Sequence, residues 1–251
     1  MDAEIIVAPD PVAWAQEAAQ RFAELARKAA ASRQRFSVAL SGGSTPGKLY
    51  TLLGRESYRT EIPWEHVHLF WADERCVPPD DPGSNYRLVQ VTLLTQVSIP
   101  PENVHRVRGE LGPQAAAQVY ERDLQDFYCG PRPRFDLVLL GLGEDGHTAS
   151  LFPGSPLLAE RERLVAPAVA SYQDRPTQRV TLTLPAINTA RQVLFLVTGS
   201  AKAGIVQTVL AGPSGQLPAE QVRPTAGQLT WLLDAAAASL LDEGSARWRE
   251  S

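Results

Sequence analysis

Residues 135–140, FDLVLL, run directly into GLGEDGHTASLFPG at 141–154. A short, mostly apolar run that ends in a glycine-rich turn reads as a buried strand, the kind that fills the middle of a parallel sheet. Its glycine turn sets Asp145 and His147 side by side, and Pro153 stops a long regular helix from starting at once. Open α/β sheets build their sites beyond the carboxyl ends of their strands. Histidine is the side chain whose unperturbed charge change lies nearest neutral pH.

The rest of the chain alternates in the same way. Strand patterns are expected at 5–8, 36–40, 67–71, 179–184 and 193–198, and helical spacing at 11–31, 86–96, 113–127 and 201–210. The alanine-rich segment 229–241 also reads as a helix. ADERCVPPDDPGSNY, 72–86, reads as a long polar loop and 212–224 as a surface loop. This order predicts an α/β fold with a mostly parallel, Rossmann-like open sheet and helices on both faces. With 44% hydrophobic residues there is material for a proper core, and no linker-like tract divides the chain. A single domain over 1–251 is expected.

The formal charge is −4 and no lysine or arginine run stands out, which argues against a nucleic-acid partner. An anionic ligand would need basic side chains gathered from scattered positions. Cys76 and Cys129 have neither CxxC spacing nor a framework of pairs, so free thiols in a reducing compartment are expected. The first residues do not form a signal peptide, and no segment reaches the roughly 18 apolar residues of a membrane span. A cytoplasmic protein without membrane contact, monomeric or weakly homodimeric, is the expectation.

Two glycine motifs point to nucleotides and fall short. GLGEDG satisfies GxGxxG, but Pro153 and Pro156 break the expected helix, and Glu160 and Glu162 do not sit at a strand end as a ribose-binding acid should. GGSTPGK, 42–48, satisfies GxxxxGK but continues with Leu49, so the hydroxyl that would hold magnesium is missing. What survives is small residues leading into a helix N-terminus, which make either an anion cradle or an ordinary capped turn. In the first reading Ser41, Gly42, Gly43, Ser44 and Thr45 supply the donors.

Further candidates are scattered. Asp73, Glu74 and Arg75 follow the strand at 67–71, and Arg75 could fork onto a phosphate or carboxylate. Asn85 reads either as a polar tie or as a helix N-cap. Arg179 opens a strand. Lys202 sits near a helix start, where a cation is disfavoured by the dipole and easier to explain if an anion binds. His66, His68 and His105 lack metal-ligand spacing and read as packed or surface residues.

Taken in order, SGGSTP at 41–46, ADER at 72–75, SNY at 84–86, GLGEDGHTASLFPG at 141–154, RVTLTLPAIN at 179–188 and TGSAKA at 198–203 resemble the 6-phosphogluconolactonase family, within the superfamily shared with glucosamine-6-phosphate deaminase. The resemblance covers nearly the whole chain. It implies hydrolysis of 6-phosphogluconolactone in the oxidative pentose phosphate pathway, with a sugar-phosphate lactone as small-molecule partner, no metal and no organic cofactor. It implies that the 41–45 loop grips the phosphate with Arg179 and Lys202, that Arg75 lies near the substrate, and that His147 is the general base. The oxyanion donors would be Arg75, backbone N–H groups of the glycine turn, or both.

Asp145 would orient the imidazole only in an irregular turn, since residues two apart do not face each other on a helix. Asp73 or a backbone carbonyl is the alternative. The sister deaminases continue their DGH motif to a glutamate just before the proline, where this chain has Phe152. A deaminase/isomerase and a non-catalytic sugar-phosphate sensor are the competing functions.

Overall fold

The computed structural model describes residues 3–130, 132–170, 176–211, 215–242 and 247–248. Among them, ten strands form two sheets. The strands are β1 (Glu4–Ala8), β2 (Phe36–Leu40), β3 (Val67–Trp71), β4 (Asp73–Arg75), β5 (Leu137–Leu140), β6 (Val165–Val169), β7 (Gln178–Leu182), β8 (Gln192–Val197), β9 (Gln228–Asp234) and β10 (Arg247–Trp248). The large sheet runs β10-β1-β9-β8-β5-β2-β3, and every pair in it is parallel. A smaller antiparallel sheet, β4-β7-β6, lies outside it. The helices are α1 (Pro11–Arg33), α2 (Ser44–Leu53), α3 (Glu56–Glu61), α4 (Asn85–Val89), α5 (Pro113–Tyr128), α6 (Leu184–Ile187) and α7 (Ala203–Leu210).

Local chemistry explains the longest helix. Asp10 caps α1 by accepting from the N–H groups of Val12 and Ala13 at 2.7 and 2.8 Å, with Pro11 at the first position. Gln34 ends it in the left-handed region at φ 56°. Trp14 and Phe22 are buried, each such side chain contributing about 1.5–3 kcal/mol. Trp14 Nε1 also donates to the Leu232 carbonyl at 3.0 Å, tying α1 to β9. Successive strand residues point to opposite faces, and the two faces are covered by different helices. Phe36 of β2 meets Phe22 of α1 edge-on at 5.3 Å. Phe70 of β3, which pairs with Ala39 on the other face, meets Phe127 of α5 at 5.0 Å.

Three expectations need correction. Residues 229–241 are not a helix: β9 runs through QLTWLLD, inserted between β8 and β1 and buried over its last five residues. Trp231 stacks on Phe195 at 3.8 Å. A strand buried on both faces has no period of two, and the alanines after it mimic helix composition. The polar loop at 72–86 is not all loop, because Asp73–Arg75 forms β4 of the second sheet. The helix expected at 86–96 is α4 followed by a π-helical stretch, Gln90–Leu94. In addition, β6 carries Pro167, which an edge strand tolerates. Residues 212–214 of the expected surface loop lie outside the described residues; further along it, Pro218, Ala219 and Glu220 are buried.

His68 and His105 pack as a pair, Nδ1 to Nε2 at 3.2 Å, with His105 stacked on Phe70 at 4.3 Å. Burial, and for His68 the neighbouring His105 and Arg35 charges, pushes both imidazoles down to about 4. The unfolded chain therefore binds more protons than the folded one between about pH 6.5 and pH 4, and this contribution to stability is lost as pH falls through that window. Thermal unfolding should show a fall in Tm over that range. A His68→Phe/His105→Phe variant should lose less Tm across it; an equal loss would contradict the linkage.

Candidate active site

Four neighbouring strands of the large sheet, β8, β5, β2 and β3, end at one crevice. The chain leaves β2 toward β3 on one side and β5 toward β8 on the other, so the crevice lies at a switch point, where open α/β sheets bind ligands. A cavity of about 580 Å³ opens there. Its walls include Ser41, Gly42, Gly43, Ser44 and Thr45 after β2, Asp73 and Arg75 of β4, Asn85 of α4, Asp145 and His147 after β5, Arg179 of β7 and Lys202 after β8. The structure thus brings these candidates to one space, while Glu74, also a candidate, does not line it.

The loop after β2 is built for close approach. Gly43, at φ 105°, is the N-cap residue of α2 and has no side chain to cap it. The first-turn N–H groups of Ser44 and Thr45, which have no intrahelical acceptor in any α-helix, get none from it. Tyr50 pins the loop by accepting from Ser41 N–H at 3.2 Å and donating to its carbonyl at 2.7 Å. Burial first pushes the Tyr50 phenol well up, which keeps it neutral. A Cβ at Gly42 would overlap the Asn85 amide. Thr45 Oγ1 meets Thr198 Oγ1 at 3.0 Å, joining this loop to the one after β8.

The small sheet brings in the charges. Arg75 and Arg179 are directly paired across β4 and β7. Asp73 Oδ2 accepts from Ser150 Oγ at 2.6 Å and lies 3.8 Å from Arg179 Nη1, both partners being buried. Asn85 is not the N-cap of α4: Ser84 is, and Asn85 follows it with its Nδ2 donating to the Asp73 carbonyl at 2.9 Å. Among the described residues, Ser41 Oγ, Asn85 Oδ1 and Arg75 Nε are buried without a hydrogen-bond partner. These are groups a polar ligand can satisfy.

Asp145 and His147 meet because the chain is irregular there. Gly146, at φ 81°, turns the backbone, and Gly143 N–H donates to the His147 carbonyl at 2.8 Å. Asp145 Oδ1 lies 2.5 Å from His147 Nδ1 and accepts from the His147 N–H at 3.1 Å. Burial raises the Asp145 carboxyl, but the hydrogen bonds and charge of His147 outweigh it and hold it below the usual carboxylate range. Phe152, buried, sets its ring 4.9 Å from the imidazole.

The sequence marks Glu74 as a candidate without its supporting role and gives no sign of the other supports. Glu74, buried, accepts from the N–H groups of Asn85 and Tyr86 at 2.7 Å each and from Ser84 Oγ at 3.0 Å, fixing the start of α4 and with it Asn85. Burial raises its pKa, with the backbone donors pulling the other way. Asp234, at the end of β9, accepts from Gly199 N–H at 3.0 Å and so holds the loop that carries Thr198 and Lys202. Leu217 and Ala219 back the His147 turn, Ala219 N–H donating to the Gly146 carbonyl at 3.1 Å. Their sequence signals, an acid in a charge cluster or at the end of an apolar run, are not distinctive. Cys76 is half-buried, and burial followed by the Glu74 charge pushes its thiol up to about 11, leaving little thiolate at neutral pH.

Residues 9–231 match the family model described as glucosamine-6-phosphate isomerases/6-phosphogluconolactonase. The chain is 44% identical over 213 residues to the 6-phosphogluconolactonase of Synechocystis, covering 82% of this chain and 85% of the relative. It is 42% identical over 238 residues to the human 6-phosphogluconolactonase, covering 90% of each. Its backbone superposes on the 6-phosphogluconolactonase from Trypanosoma brucei with a TM-score of 0.85 and 31% identity, covering 96% of this chain and 99% of the other. Among the described residues, no helix is long and apolar enough to cross a membrane.

Proposed function

The chain belongs to the glucosamine-6-phosphate isomerase/6-phosphogluconolactonase family and is a lactone-hydrolysing enzyme; we propose that it converts 6-phospho-D-glucono-1,5-lactone to 6-phospho-D-gluconate with His147 as general base. The reaction belongs to the oxidative pentose phosphate pathway. The observation that carries this reading is the shared cavity, with the Asp145–His147 pair on one wall and the uncapped start of α2 on another.

Asp145 engages Nδ1, which keeps the proton on that nitrogen and makes Nε2 the base. Neutral His147 takes a proton from water, and the resulting hydroxide attacks the lactone carbonyl. The oxyanion is stabilised by Arg75 and by N–H groups of the glycine turn. The protonated ring then gives its proton to the departing ring oxygen. Asp145, ionised, favours the imidazolium that forms in between.

The phosphate sits on the N–H groups of the 41–45 loop, with Lys202 and Arg179 as counter-charges. It is a handle remote from the reacting bond, and its binding energy aligns the carbonyl. Lys202→Ala should raise KM about tenfold, the lower end for a charged hydrogen bond at a partly exposed site, with a smaller effect on kcat. An unchanged KM would remove Lys202 from the phosphate site.

An amine-releasing reaction on this scaffold would need a carboxylate where Phe152 packs against His147. Lactone loss measured above the spontaneous rate, beside ammonia release from glucosamine 6-phosphate, tests the assignment. Acceleration of the first without the second supports it, and the reverse overturns it.

A further inference from the structure

Lys202 occupies a position that calls for an anion, and the turn carrying His147 supplies one. Lys202 ends a 3-10 turn, Ser200–Lys202, immediately before α7, where the positive end of a helix dipole disfavours a cation. Glu144 Oε1 lies 3.8 Å from Lys202 Nζ. The backbone of Glu144 is fixed by the turn around it, with Gly146 N–H donating to the Gly143 carbonyl at 3.0 Å. Its side chain, by contrast, is 73% exposed. Both residues line the cavity, so the pair joins the loop after β5 to the loop after β8 at its wall.

We propose that Glu144 is a resident counter-anion that occupies Lys202 in the empty enzyme and favours release of product over retention of substrate. The proposal rests on the hydrolysis and phosphate site assigned above. Hydrolysis adds water across the acyl–oxygen bond: hydroxide goes to the carbonyl carbon, a proton goes to the ring oxygen, and the new carboxylic acid loses its proton to solvent. The ligand therefore gains one negative charge, next to His147, while the phosphate stays as it was. Glu144 acts on this in two ways. It competes with the phosphate of substrate and product alike for Lys202, and it repels the carboxylate that only the product carries. The product is weakened more than the substrate.

The test is product inhibition by 6-phosphogluconate in the wild-type enzyme and in Glu144→Gln, which keeps the shape and removes the charge. So exposed a side chain is not needed for folding. The Ki of 6-phosphogluconate should fall about two- to fivefold, the range of exposed charge interactions. The KM of the lactone should fall by less, and the gap between the two changes should shrink at high salt. An unchanged or raised Ki overturns the proposal, and so does an equal fall in both constants. If the wild-type protein fails to hydrolyse the lactone, the functional reading itself is overturned. Normal wild-type hydrolysis with a Ki that Glu144→Gln does not move overturns this proposal alone.

Discussion

Replacing His147 by alanine should lower kcat by about 10²- to 10⁴-fold, the share that a positioned general base contributes, if it fills the proposed role. The affinity for 6-phosphogluconate should change little, because the proposed phosphate site lies on other loops. The substitution is also structurally mild. The imidazole side chain is 20% exposed at the cavity wall, so its removal enlarges the cavity rather than opening a hole in the core. Steady-state kinetics with a melting curve separates the outcomes. A large loss of kcat at nearly unchanged Tm and Ki is the expected pattern; wild-type turnover would remove His147 from the chemistry.

Gly143→Ala should cost about 10²-fold in kcat although no reacting group is replaced. A Cβ at this position would overlap the His147 ring and come within 2.6 Å of Asp145 Oδ1. Real Cβ atoms do not approach so closely, so the imidazole has to move. A misplacement of roughly 1 Å is worth about two orders of magnitude in rate. Gly141, two residues earlier, is the internal control: an added Cβ there meets nothing within 4 Å, and Gly141→Ala should lose far less activity. Parallel kcat and KM values for the two variants decide the point. Equal activity in both would mean that the His147–Asp145 geometry is not what limits turnover.

The contrast between these two glycines marks how far sequence reading reaches. The motif GLGEDGH identifies the turn, the residue types and their position at a strand end, because glycines after an apolar run have few other uses. Which glycine is indispensable depends on where the imidazole folds back, and that is a three-dimensional fact. The same holds for Asp145, two residues from His147. Only the positive φ of Gly146 and the closure of the turn let the pair meet. The alternation of elements conveys the parallel sheet, since apolar strands and amphipathic helices differ in period.

The second sheet was hidden because β4 is three charged residues whose partners lie on a strand about 100 residues later, and propensity carries no trace of such pairing. β9 reads as a helix in the sequence because a strand buried on both faces and followed by alanines carries a helical composition. The supports of the site, Glu74 under Asn85 and Asp234 under the Lys202 loop, are buried acids satisfied by backbone N–H groups. In the sequence they are indistinguishable from solvated ones.

The decisive measurement is a structure of the enzyme with 6-phosphogluconate bound. The phosphate should lie on the N–H groups of the 41–45 loop and beside Lys202, with the carboxylate within about 3.2 Å of His147 Nε2. A product bound in the opposite direction, or with its carboxylate out of reach of the imidazole, would contradict it.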